Sequence, residues 1–190
     1  PKRQDQWGQD MAGHTLLGIS GALRKESTNT RLMREAARVY DPETFVEADL
    51  NLPLFNEDIE SAEGIPEPVR RLSDQIRDAD AVVISGPEYN KGITGVLKNA
   101  LDWVSRTKGN PWREKPVAIM SAADGRAGGE RTQFALRLCL VAFRPRLVPG
   151  PELMVAHSRQ EFDEDGRLKS ERYLKTLTEL MERLREEASR

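Results

Sequence analysis

Two short, uninterrupted apolar runs, Ala81-Val82-Val83-Ile84-Ser85 and Val117-Ala118-Ile119-Met120, constrain the fold more than any other feature of the chain. Each is too short for a helix and lacks polar alternation, so each reads as a strand covered on both faces in the middle of a parallel sheet. Parallel neighbours cannot be joined by a tight hairpin, and the connecting chain must cross a face of the sheet, usually as a helix. The flanking sequence supplies such helices. After a first strand at about His14 to Ile19, Leu32, Met33, Ala36, Ala37 and Tyr40 recur at helical spacing until Asp41-Pro42 stops them. Val69, Leu72, Ile76 and Ala79 form one stripe behind Pro66, and Val96, Leu97, Ala100, Leu101 and Val104 form another. The fourth helix carries Phe134, Ala135, Leu138, Val141 and Ala142 as its apolar face, and the last carries Tyr173, Leu174, Leu177, Leu180, Met181 and Leu184. Thr44 to Leu50 alternates as a second strand near an edge would. Pro149-Gly150-Pro151 interrupts a short fifth strand between Leu147-Val148 and Leu153-Met154-Val155.

Five strands alternating with five helices predict an α/β fold, a doubly wound five-stranded parallel sheet of order 2-1-3-4-5 with helices on both faces. Residues 14–190 form a single domain in this reading. Residues 1–13 are polar and without periodicity, and are expected to be a leader outside the fold, disordered or added ahead of a native start at Met11.

A formal net charge of -2 with both signs interspersed gives nucleic acid no broad basic surface to bind. No run approaches the ~20 apolar residues that span a bilayer. The single Cys139 cannot form an internal disulfide, which fits a cytoplasmic protein, and its apolar neighbours predict burial. His14 and His157 stand alone and read as structural or exposed rather than catalytic.

In a sheet of this order, ligands bind outside the carboxyl ends of the strands, where the winding reverses between strands 1 and 3. The loops meeting there are Gly21 to Asn29, Gly86 to Gly92 and Ser121 to Gly129, all rich in small or polar residues. In the first, Ser27, Thr28, Asn29 and Thr30 stand where a helix begins, with its unpaired N–H groups and positive dipole end, and Arg24 adds a forked cation. That combination suits a phosphate. The loop has neither G-x-G-x-x-G nor G-x-x-x-x-G-K-[ST], so a dinucleotide fingerprint and a P-loop are both absent. Nor does any H-E-x-x-H, cysteine pair or nucleophile elbow argue for a metal or acyl-transfer site.

Several stretches, in order, resemble the NAD(P)H-dependent FMN reductases, a flavodoxin-like family that includes bacterial quinone and chromate reductases. Gly21-Ala22-Leu23-Arg24-Lys25-Glu26-Ser27-Thr28-Asn29 is similar to the family's G-S-L-R-x-x-S-x-N phosphate loop, and Pro87-Glu88-Tyr89-Asn90 to its flavin loop. Gly95 to Trp103 and Leu52-Pro53-Leu54-Phe55 resemble two further family stretches, so that the likeness covers about Thr15 to Leu184. The resemblance implies that Arg24, Ser27 and Asn29 hold the FMN phosphate and that Pro87, Glu88, Tyr89 and Asn90 line the isoalloxazine edge. It also places Ala22, Ser121, Ala122 and Gly125 at the cofactor. Ala22 and Glu26 depart from the family's serine and frequent glycine, which predicts weaker cofactor binding than is usual.

By the same resemblance, FMN passes a hydride from NADPH or NADH to a small-molecule acceptor (a quinone, flavin, azo compound or metal oxyanion) in a ping-pong reaction. No side chain is assigned as catalytic acid or base, because the cofactor carries the chemistry. Lys91, Arg126 and Arg131 are available to the phosphates of the nucleotide. The alternative is a flavodoxin-type electron carrier with no nicotinamide reaction of its own. Leu54 and Phe55, apolar residues in a loop, predict a contact with a second subunit in a homodimer or tetramer.

Overall fold

The computed structural model describes residues 14–190, and the expected leader at 1–13 lies outside the described residues. The elements run β1 (Thr15–Ser20), α1 (Thr28–Tyr40), β2 (Thr44–Glu47), α2 (Glu57–Glu63), α3 (Glu67–Asp78), β3 (Ala81–Ser85) and α4 (Gly95–Ser105). They continue with β4 (Pro116–Ala122), α5 (Glu130–Leu140), β5 (Arg146–Leu147), β6 (Leu153–Val155) and α6 (Glu171–Ala188). The sheet is parallel throughout and its order is β2-β1-β3-β4-β5, as the apolar runs require. β6 pairs with β4 as well.

The interruption at Pro149-Gly150-Pro151 divides the last strand. β5 lies along the start of β4, with Val117 opposite Leu147, and β6 lies along its end, with Met120 opposite Leu153 and Ala122 opposite Val155. The two pieces together make the fifth strand of the expected sheet.

Successive residues of a strand point to opposite faces, so each central strand feeds two cores. Leu16, Val83, Ala118 and Met120 pack on one face with Leu32, Met33 and Ala36 of α1 and Leu177, Leu180 and Leu184 of α6. Leu17, Ile19, Val82, Ile84 and Ile119 pack on the other with Leu72 and Ile76 of α3, Leu97 and Leu101 of α4, and Leu136 and Leu140 of α5. All five residues of β3 and all seven of β4 are buried, which explains their unbroken apolar character.

Three features depart from the sequence reading. The sequence reading assigns no helix to the stretch that α2 occupies; α2 buries no residue, so it has no stripe to announce it. Its support is local: Asn56 Oδ1 accepts the Asp58 N–H at 2.9 Å, and Glu57, Asp58 and Glu60 stand at the positive end of the helix dipole. In α5 the expected face is the wrong one. Phe134, Leu138 and Val141 are 52%, 75% and 69% exposed, whereas Thr132, Gln133, Leu136 and Leu140 face inward. Gln133 is held there by its Nε2, which donates to Ser121 Oγ at 2.9 Å and to the Leu153 carbonyl at 2.8 Å, while its Oε1 has no partner among the described residues. Cys139, expected to be buried, is only partly covered on the same helix.

Candidate functional site

The carboxyl ends of β1, β3 and β4 are stitched together by backbone. The Gly21 N–H donates to the Ser85 carbonyl at 2.8 Å and the Gly86 N–H to that of Met120 at 3.2 Å. A Cβ on Gly21 would lie 3.2 Å from Gly86 Cα, so the first two loops leave the sheet in near contact. Buried Thr94, the N-cap of α4, donates its hydroxyl to the Gly21 carbonyl at 2.7 Å and fixes that approach.

The first loop ends in a capped helix. Ser27 Oγ accepts the Asn29 N–H at 3.2 Å, and the Ser27 N–H donates to the Arg24 carbonyl at 3.1 Å. Among the described residues, no acceptor takes the Thr28 or Thr30 backbone N–H, which leaves first-turn donors free beside Arg24. Glu26, the anion expected to disturb this cradle, turns away; its side chain is 72% exposed and its carboxylate pairs with Arg31 at 2.6 Å.

Outside these strand ends lies a cleft of about 450 Å³, a size ordinary for a small-molecule site. Arg24, Ser27, Thr28 and Asn29 line it from the first loop, and Pro87, Glu88 and Tyr89 from the second. Ala122, Ala123, Asp124 and Gly125 line it from the third. The second loop is a tight hairpin: Tyr89 and Gly92 exchange backbone hydrogen bonds of 3.2 and 3.1 Å, with Asn90 and Lys91 at φ of 50° and 67° between them. Glu88 anchors it to α5, accepting the Arg131 N–H at 3.0 Å and its guanidinium at 3.3 Å. Arg131 is thereby engaged, while Lys91 and Arg126 are exposed.

Some residues expected at the ligand sit elsewhere. Asn90 lies at the exposed hairpin tip, and Ala22 borders a neighbouring hollow of about 220 Å³ with Ser20 and Arg34. Ser121 is fully buried beneath the third loop, donating to the Gly128 carbonyl at 2.7 Å and accepting from Gln133. Asn29 lines the cleft but is 2% exposed.

A fourth wall had no signal in the sequence. Ser158 and Arg159 enter the cleft from the turn after β6. The β4–β6 pairing continues into that turn: the Ala123 N–H donates to the Val155 carbonyl at 3.0 Å, and the Ser158 N–H to that of Ala123 at 3.1 Å. Ser158 Oγ then meets Thr28 Oγ1 at 3.0 Å, joining the turn to the cradle, and Arg159 lies 3.5 Å from Asp124.

A cradle for an anion and a cleft at the strand ends agree with the family whose model the sequence matches over residues 14–160, NADPH-dependent FMN reductase. The chain belongs to that family. An NAD(P)H-dependent FMN reductase of Pseudomonas aeruginosa is 44% identical over 155 residues, covering 80% of this chain and 83% of that one. A quinone reductase of Escherichia coli K12 is 40% identical over 139 residues, covering 72% and 74%. Among solved structures, the flavoenzyme NAD(P)H:(acceptor) oxidoreductase FerB of Paracoccus denitrificans superposes with a TM-score of 0.83 at 30% identity, covering 92% of this chain and 97% of that one. A WrbA-like flavodoxin of Agrobacterium tumefaciens, at 15% identity and a TM-score of 0.58, shares the fold.

This FMN reductase is therefore an oxidoreductase with FMN as cofactor and NAD(P)H as donor. Its residues fit the cofactor's phosphate. The free first-turn donors and the cation of Arg24, unpaired among the described residues, suit a phosphate, Glu26 of the same loop is paired with Arg31, and the cleft carboxylates Glu88 and Asp124 lie beside Arg131 and Arg159. Among the described residues, no helix is long and apolar enough to cross a membrane.

Proposed function

We propose that this FMN reductase uses one open cleft for both half-reactions, taking electrons from NADPH or NADH and giving them to a quinone, free flavin, azo compound or metal oxyanion. The single observation that carries this reading is the cleft, bounded by one short hairpin with a single aromatic residue, Tyr89, which is 56% exposed. A cofactor held there is not roofed by aromatic rings, so donor and acceptor reach it in turn, the ping-pong order. When bound, FMN supplies two-electron chemistry between a nicotinamide and an acceptor. The protein's residues do the rest: Arg24 and the Thr28 N–H hold the phosphate, and Pro87 to Tyr89 with Ala122 to Gly125 flank the ring. Lys91 and Arg126, both exposed, add positive charge for the nucleotide.

Anaerobic mixing of NADPH or NADH with the FMN-loaded protein should bleach the flavin band, and a quinone added afterwards should restore it. If neither nucleotide bleaches the band while dithionite does, the protein is a carrier of the flavodoxin type instead.

The same proposal includes a homodimer or tetramer and a cytoplasmic location. Phe55 finds its cover within the chain, edge-on to Trp103 with ring centroids 5.0 Å apart, so only Leu54 of the expected pair, 80% exposed, still faces outward. A stronger support is the stripe of Phe134, Leu138 and Val141 on successive turns, since several large apolar side chains on one helix face are rarely left in water.

A further inference from the structure

Asn29 stands in the phosphate-loop motif, yet its carboxamide is buried within the protein. Its Oδ1 accepts the Ser85 hydroxyl at 3.0 Å and the Ala122 N–H at 2.9 Å, and its Nδ2 donates to the Ala122 carbonyl at 2.8 Å. Both Oδ1 lone pairs and one of the two Nδ2 protons have partners, in a residue 2% exposed. The assignment of oxygen and nitrogen is fixed by Ala122 itself, whose N–H needs an acceptor and whose carbonyl needs a donor.

From this we infer that Asn29 is a positioning residue for the flavin ring and not a ligand of the phosphate. The side chain leaves the first turn of α1 and closes both backbone groups of Ala122, where β4 ends and the third loop begins. Through Ser85 it also holds the end of β3, one residue before the second loop. The loops proposed to flank the ring are thus referenced to the helix that forms the cradle. Ala122 requires this more than most positions: it is 1% exposed, so neither of its backbone groups can turn to water if the carboxamide is lost. Ser27, equally buried, caps the helix and lines the cleft, and Arg24 is exposed beside it.

The inference rests on the reading that the FMN phosphate occupies the cradle, and affinities for FMN and riboflavin separate the two. Asn29→Ala should weaken both flavins by the same factor, roughly tenfold for the buried bonds removed, so that the preference for FMN over riboflavin is kept. It should also shift the absorption band of the bound flavin, because the ring's surroundings move. Arg24→Ala should do the reverse, lowering the preference and leaving the band in place. If Asn29→Ala does not fold, Ser85→Ala, which removes one bond from the far side of the same network, should show the same pattern more weakly. Loss of FMN affinity alone in the Asn29 variant, or no change in either flavin and no band shift, would overturn the inference. A wild-type protein with no preference for FMN would overturn the cradle reading instead, and the band shift would still judge the role of Asn29.

Discussion

Arg185 of α6 lies over the ring of Tyr40 at the end of α1, its guanidinium carbon 5.1 Å from the ring centroid. From there it donates to the Val39 and Tyr40 carbonyls, each at 2.6 Å, and so closes the carbonyl end of α1 with a cation where the helix dipole is negative. Burial, partly offset by that guanidinium, pushes the Tyr40 hydroxyl up to about 12. Replacing Arg185 by Leu should destabilise the fold by about 1.5–3 kcal/mol, the range for hydrogen bonds from a charged group. Urea unfolding measures the loss, and Arg185→Lys should recover only part of it, because an ammonium lacks the planar fork.

Glu35, buried in α1, is held by Arg38 at 2.8 Å and by Arg167, from the turn before α6, at 3.2 Å. Burial pushes its carboxyl up, but the hydrogen bonds and charges of the two guanidiniums together outweigh burial and bring it below its ordinary 4.5. Between the folded and unfolded values the unfolded chain binds more protons, so stability rises with pH there. The contribution is complete above the ordinary value and disappears as pH falls through the folded one. Unfolding midpoints measured from neutral pH down into the acid range should show this loss in the native protein and a shallower one in Glu35→Gln.

Removing the cradle's cation should affect one flavin only. Arg24→Ala should weaken FMN binding by about 1.5–3 kcal/mol and leave riboflavin binding where it was, since only FMN presents a phosphate to the guanidinium. Fluorescence titration of both flavins gives the comparison. Equal losses would show that Arg24 supports the loop and not the anion.

The exposed stripe on α5 should be a subunit contact. Leu138, 75% exposed, carries little packing within the chain, so Leu138→Asp should keep the monomer's thermal stability. In an assembled protein the same change buries a charge and should lower the mass seen by light scattering. A native protein that is already a monomer at micromolar concentration would end the proposal.

The sequence by itself determined the sheet and its order, because β3 and β4 are covered on both faces and only an unbroken apolar run satisfies that environment. It also marked the three loops, whose small and polar residues follow directly from the need to turn at the strand ends. Local pattern could not choose between the two apolar stripes of α5: Leu136 and Leu140 go inward and Phe134 and Leu138 outward, because buried Gln133 has partners on Ser121 and Leu153. Nor could it tell a ligand from a brace. Asn29 and Ser121 sit in loops of the right composition, but Asn29 turns to the backbone of Ala122, distant in sequence, and Ser121 to the Gly128 carbonyl within its own loop, and Ser158 and Arg159 reach the cleft only through the pairing of β6 with β4. Spacing along a chain records which face of an element a residue occupies. Which polar atom it meets there depends on contacts between segments far apart in the sequence, 93 residues in the case of Asn29 and Ala122, and tertiary structure alone decides them.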